Sequence, residues 1–420
     1  MVVGSVIGAG IFLVPNRIAN LVGCSSAMLA VWAVAGFLSL FGALAIAELA
    51  SQYPQAGGLY VFLRESYGRP LAFLYGWGLL AVIQTGNIAS LAVALPFYLS
   101  YLFRLSPSAE KLVAVGAILV LTAANCLGIR WGALIQNILT TVKVVTLSLM
   151  TVLLLLGSRV SKISPESPKC DWTWSSLGLA AIAALWAYEG WHLVTFAGGE
   201  VSRPEKNLPR GLIAGMALVL TLYLAANAGY LHVLTVGTIQ ERTDVAAVSM
   251  EAVIGRSAGI IVAAMIVFSM LGAMNGLILT GPRVYYAMAR DGLFFRRLAS
   301  VSSTCHVPTH ATLLQGGLAA FMATVGDFGQ LLSYIIYAAW IFYALTVASV
   351  WKLRRRASSP PFRCPLYPLL GSLFVGFSAY IVLSNIVRQP VESAVGIAII
   401  LLGLPIYWIW SKNKQLEGVR

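Results

Sequence analysis

Charged residues are scarce in this chain, and their scarcity sets the class of protein. Only 10% of its 420 residues are charged and 59% are hydrophobic, whereas a soluble globular domain carries roughly 25% charged residues. Too few charges are present to cover a water-exposed surface. The composition therefore excludes an ordinary soluble protein and indicates that most of the chain lies in lipid.

Residues that build catalytic centres and metal sites are also few. The chain has four scattered histidines and five cysteines without a CxxC pair, so neither a metal centre nor the clustered ligands of a membrane enzyme are expected. No P-loop is present, which argues against a nucleotide-driven pump. We therefore predict no enzyme activity, no cofactor and no metal.

Long hydrophilic segments are missing as well, which argues against the folded extramembrane domain of a typical receptor. The chain instead carries apolar stretches that can span a bilayer, for which a helix needs about 20 mostly apolar residues. The predicted spans are Met1–Asn20, Ala27–Leu49, Leu71–Phe103, Leu112–Leu127, Ala133–Gly157, Leu177–Gly198, Leu212–Leu234, Ala246–Ala289, Ala311–Val325, Leu331–Trp351, Leu366–Ile386 and Ala394–Trp410. Twelve spans with short loops are typical of a transporter.

The formal net charge is +13, which in a soluble domain would point to nucleic acid. In membrane proteins, Lys and Arg concentrate on the cytoplasmic side. With the N-terminus placed inside, most of the 28 Lys and Arg residues fall in the inner segments. We therefore predict a multi-pass protein of the cell membrane with both termini cytoplasmic, partnered by lipid and not by nucleic acid.

Glycines interrupt the first and sixth spans at corresponding places. The stretch GSVIGAGIF (Gly4–Phe12) holds three glycines, although each glycine weakens a helix by about 1 kcal/mol relative to alanine. The stretch WAYEGWHLVTFAGGE (Trp186–Glu200) holds three more, together with the acidic Glu189. Close packing is one explanation, since Gly4 and Gly8 form a GxxxG pattern. Paired breaks in two halves are also typical of a transporter's binding site.

The positions of the two breaks predict an internal repeat. Spans 1 and 6 are five apart, so spans 1–5 and 6–10 would form halves of opposite orientation. The predicted divisions are 1-157, 175-356 and 366-411. At each break, freed N–H groups favour a carboxylate and freed carbonyls favour an ammonium. An α-amino acid carries both groups on one carbon, so two adjacent breaks could hold its zwitterionic head.

These stretches resemble a known family. GSVIGAGIF resembles the first-helix signature of the amino acid–polyamine–organocation superfamily, and the rest resembles its L-type amino acid transporter branch, which includes bacterial serine/threonine exchangers. The other matching stretches are AELASQYPQAGGLYVFLRESYG (Ala47–Gly68), AYEGWHLVTFAGGEVSRPEKNLPRG (Ala187–Gly211), GPRVYYAMARDGLFF (Gly281–Phe295) and YAAWIFYALTVASVWKLRRR (Tyr337–Arg356). The resemblance implies an all-α polytopic membrane fold with twelve transmembrane helices, a five-plus-five inverted repeat and broken helices 1 and 6. It also implies sodium-independent amino acid transport, commonly by exchange.

The resemblance also implies roles for the residues at the breaks. The first break would be an unwound segment whose amides meet the substrate carboxylate: Val6, Ile7, Gly8, Ala9 and Gly10. The second would supply carbonyls for the amine from Trp186, Ala187 and Glu189, with the Trp186 ring as an outer gate. The family usually has serine where this chain has Ala9, so one hydroxyl contact is missing. Family members also have a cytoplasmic tail before the glycines, and we expect the true start to lie upstream of Met1.

The positions of the cysteines determine which disulfides can form, either with a partner protein or within the chain. Human relatives in this branch pair with a glycoprotein through a cysteine between spans 3 and 4, but residues 104–111 hold none here. The resemblance therefore predicts no disulfide-linked ancillary glycoprotein. Cys24 and Cys170 both fall on the predicted outer side, where a disulfide is conceivable although no sequence pattern requires it.

Lys143 lies in the middle of the fifth span, in NILTTVKVVTL. A charge at this depth costs several kcal/mol unless it is paired, so it is a functional candidate. The resemblance places it beside the unwound part of span 1, where sodium-coupled relatives hold an ion. Our hypothesis is that the ammonium replaces that ion, binds the freed carbonyls near Gly8 and relays substrate occupancy to the inner gate. The alternative is a lysine that snorkels to the interface.

Glu189 has three candidate roles: accepting the substrate amine, carrying a coupling proton, or capping the broken helix. His192 lies on the same helical face, three residues on, where polar packing is its simpler role. Asn275 in span 8 either borders the site or packs helices together. Tyr337 and Tyr343 belong to an aromatic stripe on span 10, which is either core or part of the pocket.

These observations predict a secondary transporter of small neutral L-amino acids that works by alternating access, with sodium-independent exchange. One alternative is a proton-coupled importer of amino acids or amines, for which Glu189 is the discriminating residue. Another is a sensor that binds an amino acid without transporting it.

Overall fold

The structure is a computed structural model that describes residues 1–100, 103–158, 170, 172–255, 257–326, 328–355, 360–388 and 390–417. Regular structure in these residues is entirely helical, and they contain no strand. The predicted all-α class is therefore confirmed for the described part of the chain.

Nineteen α-helices follow one another, and shorter helical segments of other types lie between some of them. They are α1 (Val2–Val6), α2 (Gly10–Val22), α3 (Ser25–Gln52), α4 (Leu59–Tyr67), α5 (Arg69–Gly78), α6 (Gln84–Leu99), α7 (Pro107–Cys126), α8 (Ile129–Leu156), α9 (Trp174–Ala187), α10 (Pro204–Val233), α11 (Val236–Glu241), α12 (Val245–Ile254), α13 (Ala258–Thr280), α14 (Pro282–Arg290), α15 (Thr309–Val325), α16 (Phe328–Arg354), α17 (Leu369–Arg388), α18 (Pro390–Leu401) and α19 (Gly403–Glu417). A π-helical turn, Leu79–Ile83, joins α5 to α6, and two 3-10 helices cover Trp191–Glu200 and Arg296–Ala299.

Nine helical segments of the described residues are long and apolar enough to cross a bilayer. These are Ser25–Gln52, Arg69–Leu99, Pro107–Cys126, Ile129–Leu156, Trp174–Glu200, Pro204–Val233, Ala258–Arg290, Leu369–Val387 and Ser393–Ser411. Their length and composition agree with a multi-pass membrane protein.

The predicted eighth span, Ala246–Ala289, has the wrong bounds. Its first part is a separate short helix, α12, which ends at Gly255 with φ +91°. Glycine adopts this left-handed conformation readily, and its N–H closes the helix on the carbonyl of Glu251. The crossing segment starts only afterwards, at Ala258. Hydropathy alone missed this boundary because both sides of it are apolar.

Both predicted interruptions are present. The first lies at residues 7–9, between α1 and α2, and the second at residues 188–190, between α9 and the following 3-10 helix. At the second break Gly190 has φ +106°, a conformation that side chains with a Cβ rarely adopt. A Cβ there would also lie 2.9 Å from the carbonyl oxygen of Ser5. Glycine is therefore required both for the turn and for contact between the breaks.

The glycines of the first break have different reasons to be there. A Cβ on Gly10 would lie 2.5 Å from the Cα of Ala187, so glycine lets α2 approach the end of α9. A Cβ on Gly4 would collide with the side chain of Thr140 on α8. Gly8 meets nothing closer than 3.5 Å. Close packing thus explains Gly4 and Gly10 but not Gly8.

The broken helices lie at the centre of the bundle. The second half of the first broken helix, α2, packs against α9, while α1 packs against α10 and α13. Around them, α10 lies along α3 and α8, and α13 lies between α6 and α8. The two breaks are thereby enclosed by uninterrupted helices.

A disulfide joins Cys24, just before α3, to Cys170, just before α9. The sequence allowed this pairing without predicting it. The bond connects the end of α2 with the start of α9, since α2 ends at Val22 and α9 begins at Trp174.

Ion pairs connect the opposite end of the bundle. Glu48 of α3 is fully buried, and its carboxylate accepts hydrogen bonds of 2.7 and 2.6 Å from Arg354 of α16. The backbone amide of Cys364 donates a third, at 2.7 Å. Two further pairs lie at this end: Arg64–Asp291 at 2.6 Å and Arg283–Glu200 at 2.8 Å.

Replacing Arg354 with alanine leaves the Glu48 carboxylate buried without its cation. Breaking a buried ion pair in this way costs about 3–5 kcal/mol. We expect Arg354→Ala to lower the melting temperature of the purified protein in detergent clearly below that of Arg355→Ala, which changes an exposed neighbour. Equal melting temperatures for the two variants would contradict a stabilising role for the pair.

Candidate functional site

A cavity of about 50 Å³ lies where the two breaks meet. It is lined by Ser5, Val6, Gly8, Ala9, Gly10, Ile83, Gln84, Asn87, Leu91, Trp186, Ala187, Glu189, Gly190, Leu193, Ala273, Leu277 and Tyr343. Of the residues that the sequence predicts to contact substrate, all except Ile7 line this cavity. A water molecule needs roughly 10–15 Å³ of such space, so the cavity has room for a small molecule only.

The start of α2 faces the cavity through Gly8, Ala9 and Gly10. The first amides of a helix have no intrahelical acceptor, and the helix dipole makes this end positive. The arrangement can therefore bind a carboxylate without a cationic side chain. Ala9 offers only its backbone to the cavity, because it lacks the hydroxyl of the serine that the family usually has at this position.

Ile7 is fully buried, and its carbonyl points away from the cavity. It accepts a hydrogen bond of 2.6 Å from Nζ of Lys143 and one of 3.2 Å from Oγ of Ser269. The carbonyl of Gly8 also accepts from Ser269, at 3.1 Å. Ile7 therefore does not line the cavity in this structure: its carbonyl binds α8 and α13, and its N–H donates to the carbonyl of Val3 at 3.0 Å. Its contact with substrate stays a prediction.

Lys143 is 2% exposed and has three carbonyl partners. Its Nζ donates to the carbonyls of Gly4 at 2.7 Å, Ile7 at 2.6 Å and Ser269 at 3.1 Å. An ammonium has three donors, so all of them are used inside the protein. The side chain does not snorkel; it connects α8 to α1, to the first break and to α13.

The hydroxyl of Tyr223 on α10 bridges the two breaks. It lies 3.2 Å from the carbonyl of Val6 and 3.2 Å from the carbonyl of Ala187. A hydroxyl has one proton to donate, so only one of these carbonyls is paired with it at a time. The other is an acceptor that can take an ammonium. Sequence reasoning missed Tyr223, because a tyrosine in an apolar span carries no distinguishing pattern.

Glu189 extends its carboxylate into the wall of the cavity. It accepts a short hydrogen bond from the hydroxyl of Tyr343 and lies 3.8 Å from Nδ1 of His192. His192 does not line the cavity: it is 1% exposed and stands behind Tyr343, 3.4 Å from its hydroxyl. His192 thus has the surroundings of the polar packing role that the sequence favoured, and it supports the residues that do face the cavity.

The aromatic stripe of span 10 divides into residues with different surroundings. Tyr343 lines the cavity, and Trp340 stacks on Phe374 at 5.5 Å between ring centres. The side chain of Tyr337 lies outside the described residues.

Asn275 does not border the cavity. It accepts a hydrogen bond of 2.8 Å from Asn125 and donates one of 2.8 Å to Gln136. Ala273 and Leu277 of the same helix do line the cavity, and each is two residues away, about 200° around the helix. Of the two roles that the sequence left open for Asn275, this structure has the packing of α13 against α7 and α8.

Gln84 and Asn87 of α6 line the cavity although the sequence analysis did not single them out. Gln84 donates to the carbonyl of Leu277 at 2.9 Å, and Asn87 is 8% exposed. The available signal was the polar run QTGN (residues 84–87) inside an otherwise apolar third span.

Membrane-crossing helices around a central polar cavity, built from two helix breaks, define the class: a multi-pass membrane permease. The chain matches the amino acid permease family model over residues 1–410, and it belongs to that family. The resemblance drawn from its motifs is confirmed.

Curated relatives cover nearly the whole chain. The serine/threonine exchanger SteT of Bacillus subtilis (strain 168) is 31% identical over 99% of this chain and 95% of its own length. The human b(0,+)-type amino acid transporter 1 is 30% identical over 99% of this chain and 86% of its own length. The human large neutral amino acids transporter small subunit 2 is 30% identical over 97% of this chain and 78% of its own length. The relatives are amino acid transporters and exchangers, not enzymes.

Removing the hydroxyl of Tyr343 takes away the hydrogen bond that orients the Glu189 carboxylate. A hydrogen bond to a charged group contributes about 1.5–3 kcal/mol, so we expect Tyr343→Phe to weaken L-serine binding about tenfold or more. Tyr285→Phe is the matched control, since the buried hydroxyl of Tyr285 has no hydrogen-bond partner among the described residues. Binding to the purified proteins measures the effect, and equal affinity of the two variants contradicts it.

Proposed function

We propose that the protein is a secondary transporter of small neutral L-amino acids that works by alternating access and sodium-independent exchange. The observation that carries this proposal is the cavity between the amide end of α2 and the carbonyl end of α9. It offers donors for a carboxylate and acceptors for an ammonium a short distance apart. Membership of the amino acid permease family supports the same substrate class.

The substrate's carboxylate would bind the amides of residues 8–10, where the dipole of α2 favours negative charge. Its ammonium would bind whichever carbonyl, that of Val6 or Ala187, the Tyr223 hydroxyl leaves free. Val6 and Ala187 thus take part through their backbones alone. Recognition of the zwitterionic head would then be independent of the substrate's side chain.

The small cavity and its polar wall support a small substrate. With about 50 Å³, a bulky side chain does not fit without movement of the wall. Gln84 and Asn87 offer hydrogen-bonding groups to a short polar side chain such as that of serine. The Trp186 ring, which also lines the cavity, would close it on the outer side.

Lys143 supports independence from sodium. Its ammonium already binds three carbonyls at the first break, where a bound cation would have to displace it or lie close to its charge. Because the same nitrogen holds the carbonyls of Gly4 and Ile7, a substrate that moves the break changes the position of α1. This is the proposed relay from the cavity to the inner gate.

Topology is part of the proposal. We infer twelve spans: the nine crossing segments together with the broken span α1–α2, α15 and α16. The halves 1-157 and 175-356 would be inverted repeats, followed by 366-411, with both termini cytoplasmic in the cell membrane. No disulfide-linked glycoprotein partner is proposed, because residues 104–111 contain no cysteine.

Reconstitution into liposomes tests the transport mode. We expect uptake of labelled L-serine into vesicles loaded with unlabelled L-serine, and none into empty vesicles, because exchange needs a substrate on both sides. Replacing sodium with potassium should leave the rate unchanged. Uptake that requires sodium would contradict the proposed role of Lys143.

Two other outcomes would favour different functions. Uptake into empty vesicles driven by a pH gradient would support a proton-coupled importer, for which the Glu189 carboxylate in the cavity wall is the motivating observation. Binding of L-serine without uptake in either preparation would support a sensor.

Lys143→Ala removes one donor from each of three buried carbonyls, of which only that of Ile7 keeps a side-chain donor, the hydroxyl of Ser269. We expect this variant to insert into the membrane normally. Its exchange rate should fall at least about tenfold, since each unpaired buried group costs about 1–3 kcal/mol. Lys206→Ala, at an exposed position near the start of α10, is the control. Unchanged exchange kinetics in Lys143→Ala would rule out the relay.

A further inference from the structure

Three polar side-chain atoms, one of them in the wall of the cavity, have no hydrogen-bond partner within the described parts of the chain. The atoms are Oγ of Ser5, Nε2 of Gln136 and Oγ1 of Thr140. Ser5 is 7% exposed and lines the cavity, and Gln136 is 2% exposed. A buried polar group without a partner destabilises the folded state. Three in one place therefore call for an explanation in terms of function.

Two glycines show that these atoms share one small space. A Cβ built on Gly276 would lie 2.9 Å from Oγ of Ser5 and 3.4 Å from Nε2 of Gln136. A Cβ built on Gly4 would lie 2.6 Å from the same Nε2 and would collide with Thr140. The atoms therefore surround the contact between α1, α8 and α13.

A chain of side-chain amides orients Gln136. Asn125 donates to Oδ1 of Asn275, and Nδ2 of Asn275 donates to Oε1 of Gln136, each at 2.8 Å. With its oxygen occupied in this way, Gln136 presents its N–H donors toward α1. Hydrogen bonds in such a chain also polarise one another, which strengthens the last donor.

The charge at this place favours an anion. Lys143 follows Thr140 by three residues on α8, so its ammonium belongs to the same helical face. Amide donors, hydroxyls and a nearby ammonium suit a carboxylate and disfavour a cation. The space is filled by α1 in this structure, so an anion can enter only when α1 moves away from α8.

We propose that Ser5, Gln136 and Thr140 form a second subsite, on the cytoplasmic side of the cavity, that binds the carboxylate of an amino acid passing between the cavity and the cytoplasm. This inference rests on the proposed transport function and topology. Ser5 borders both places, so a carboxylate can pass from the α2 amides to Gln136 without losing all its hydrogen bonds. The unpaired atoms also make the docked position of α1 less stable, which favours its departure.

The test measures affinity separately on the two faces of the membrane. The KM for L-serine is determined in right-side-out and inside-out vesicles containing the unaltered protein or Gln136→Met, which keeps the side-chain volume and removes the donors. We expect the KM on the cytoplasmic face to rise about tenfold, which corresponds to ~1.4 kcal/mol, while the KM on the outer face changes less than about twofold.

Two variants guard against a purely structural effect. Gln315→Met changes another buried glutamine, which lies on α15 and whose unpartnered atom is its oxygen. This variant should leave the KM unchanged on both faces. Thr140→Val keeps the shape of Thr140 and removes its hydroxyl. Like Gln136→Met, it should raise the KM for L-serine on the cytoplasmic face.

The outcomes separate this inference from the proposed function. If the unaltered protein exchanges L-serine and Gln136→Met changes neither KM, the subsite is wrong, the atoms serve only buried water, and the transport function stands. An equal rise on both faces also overturns the subsite, because Gln136 then acts on the central cavity. Absence of exchange by the unaltered protein in both vesicle types overturns the transport function and the subsite together.

Discussion

The contact on which the rest of the site depends is that between the Lys143 ammonium and the carbonyls of Gly4, Ile7 and Ser269. A backbone break in lipid frees polar groups that have no water to bind, so a membrane protein can keep one only where the protein itself supplies partners. One lysine supplies three. Its donors pair with the carbonyls of Gly4 and Ile7 at the first break. The amides at the start of α2 face the cavity instead.

The second constraint is how closely the two breaks approach each other. Gly10 lies against Ala187, and Gly190 lies against Ser5, at distances that leave no room for a Cβ. The amide end of one helix and the carbonyl end of the other are thereby held next to the same small cavity. Tyr223 then joins the carbonyls of Val6 and Ala187 through one hydroxyl, so a change at either break reaches the other.

Polar contacts lie at the places where segments must separate in the proposed transport cycle, and apolar contacts surround these places. Ion pairs such as Arg283–Glu200 connect segments at the end of the bundle opposite the disulfide, and unpaired polar atoms lie between α1 and α8. Polar pairs can exchange protein partners for water when a path opens, whereas exposing apolar surface has no such compensation. The disulfide between Cys24 and Cys170 constrains the other end of the bundle, so the two ends differ in how freely their segments can separate.

The sequence by itself determined the class of protein, the positions of both breaks and the family, because low charge, long apolar runs and glycine-rich motifs are local properties of the chain. It also pointed to Lys143 and Glu189, since a charge within an apolar span needs a partner. Only the tertiary structure decided which side of each helix faces the cavity. A buried membrane helix is apolar all round, so its pattern does not reveal its orientation. For this reason the sequence left two roles open for Asn275, and Tyr223, Gln84 and Asn87 were missed. The disulfide likewise required two distant segments to meet, which spacing along the chain does not encode.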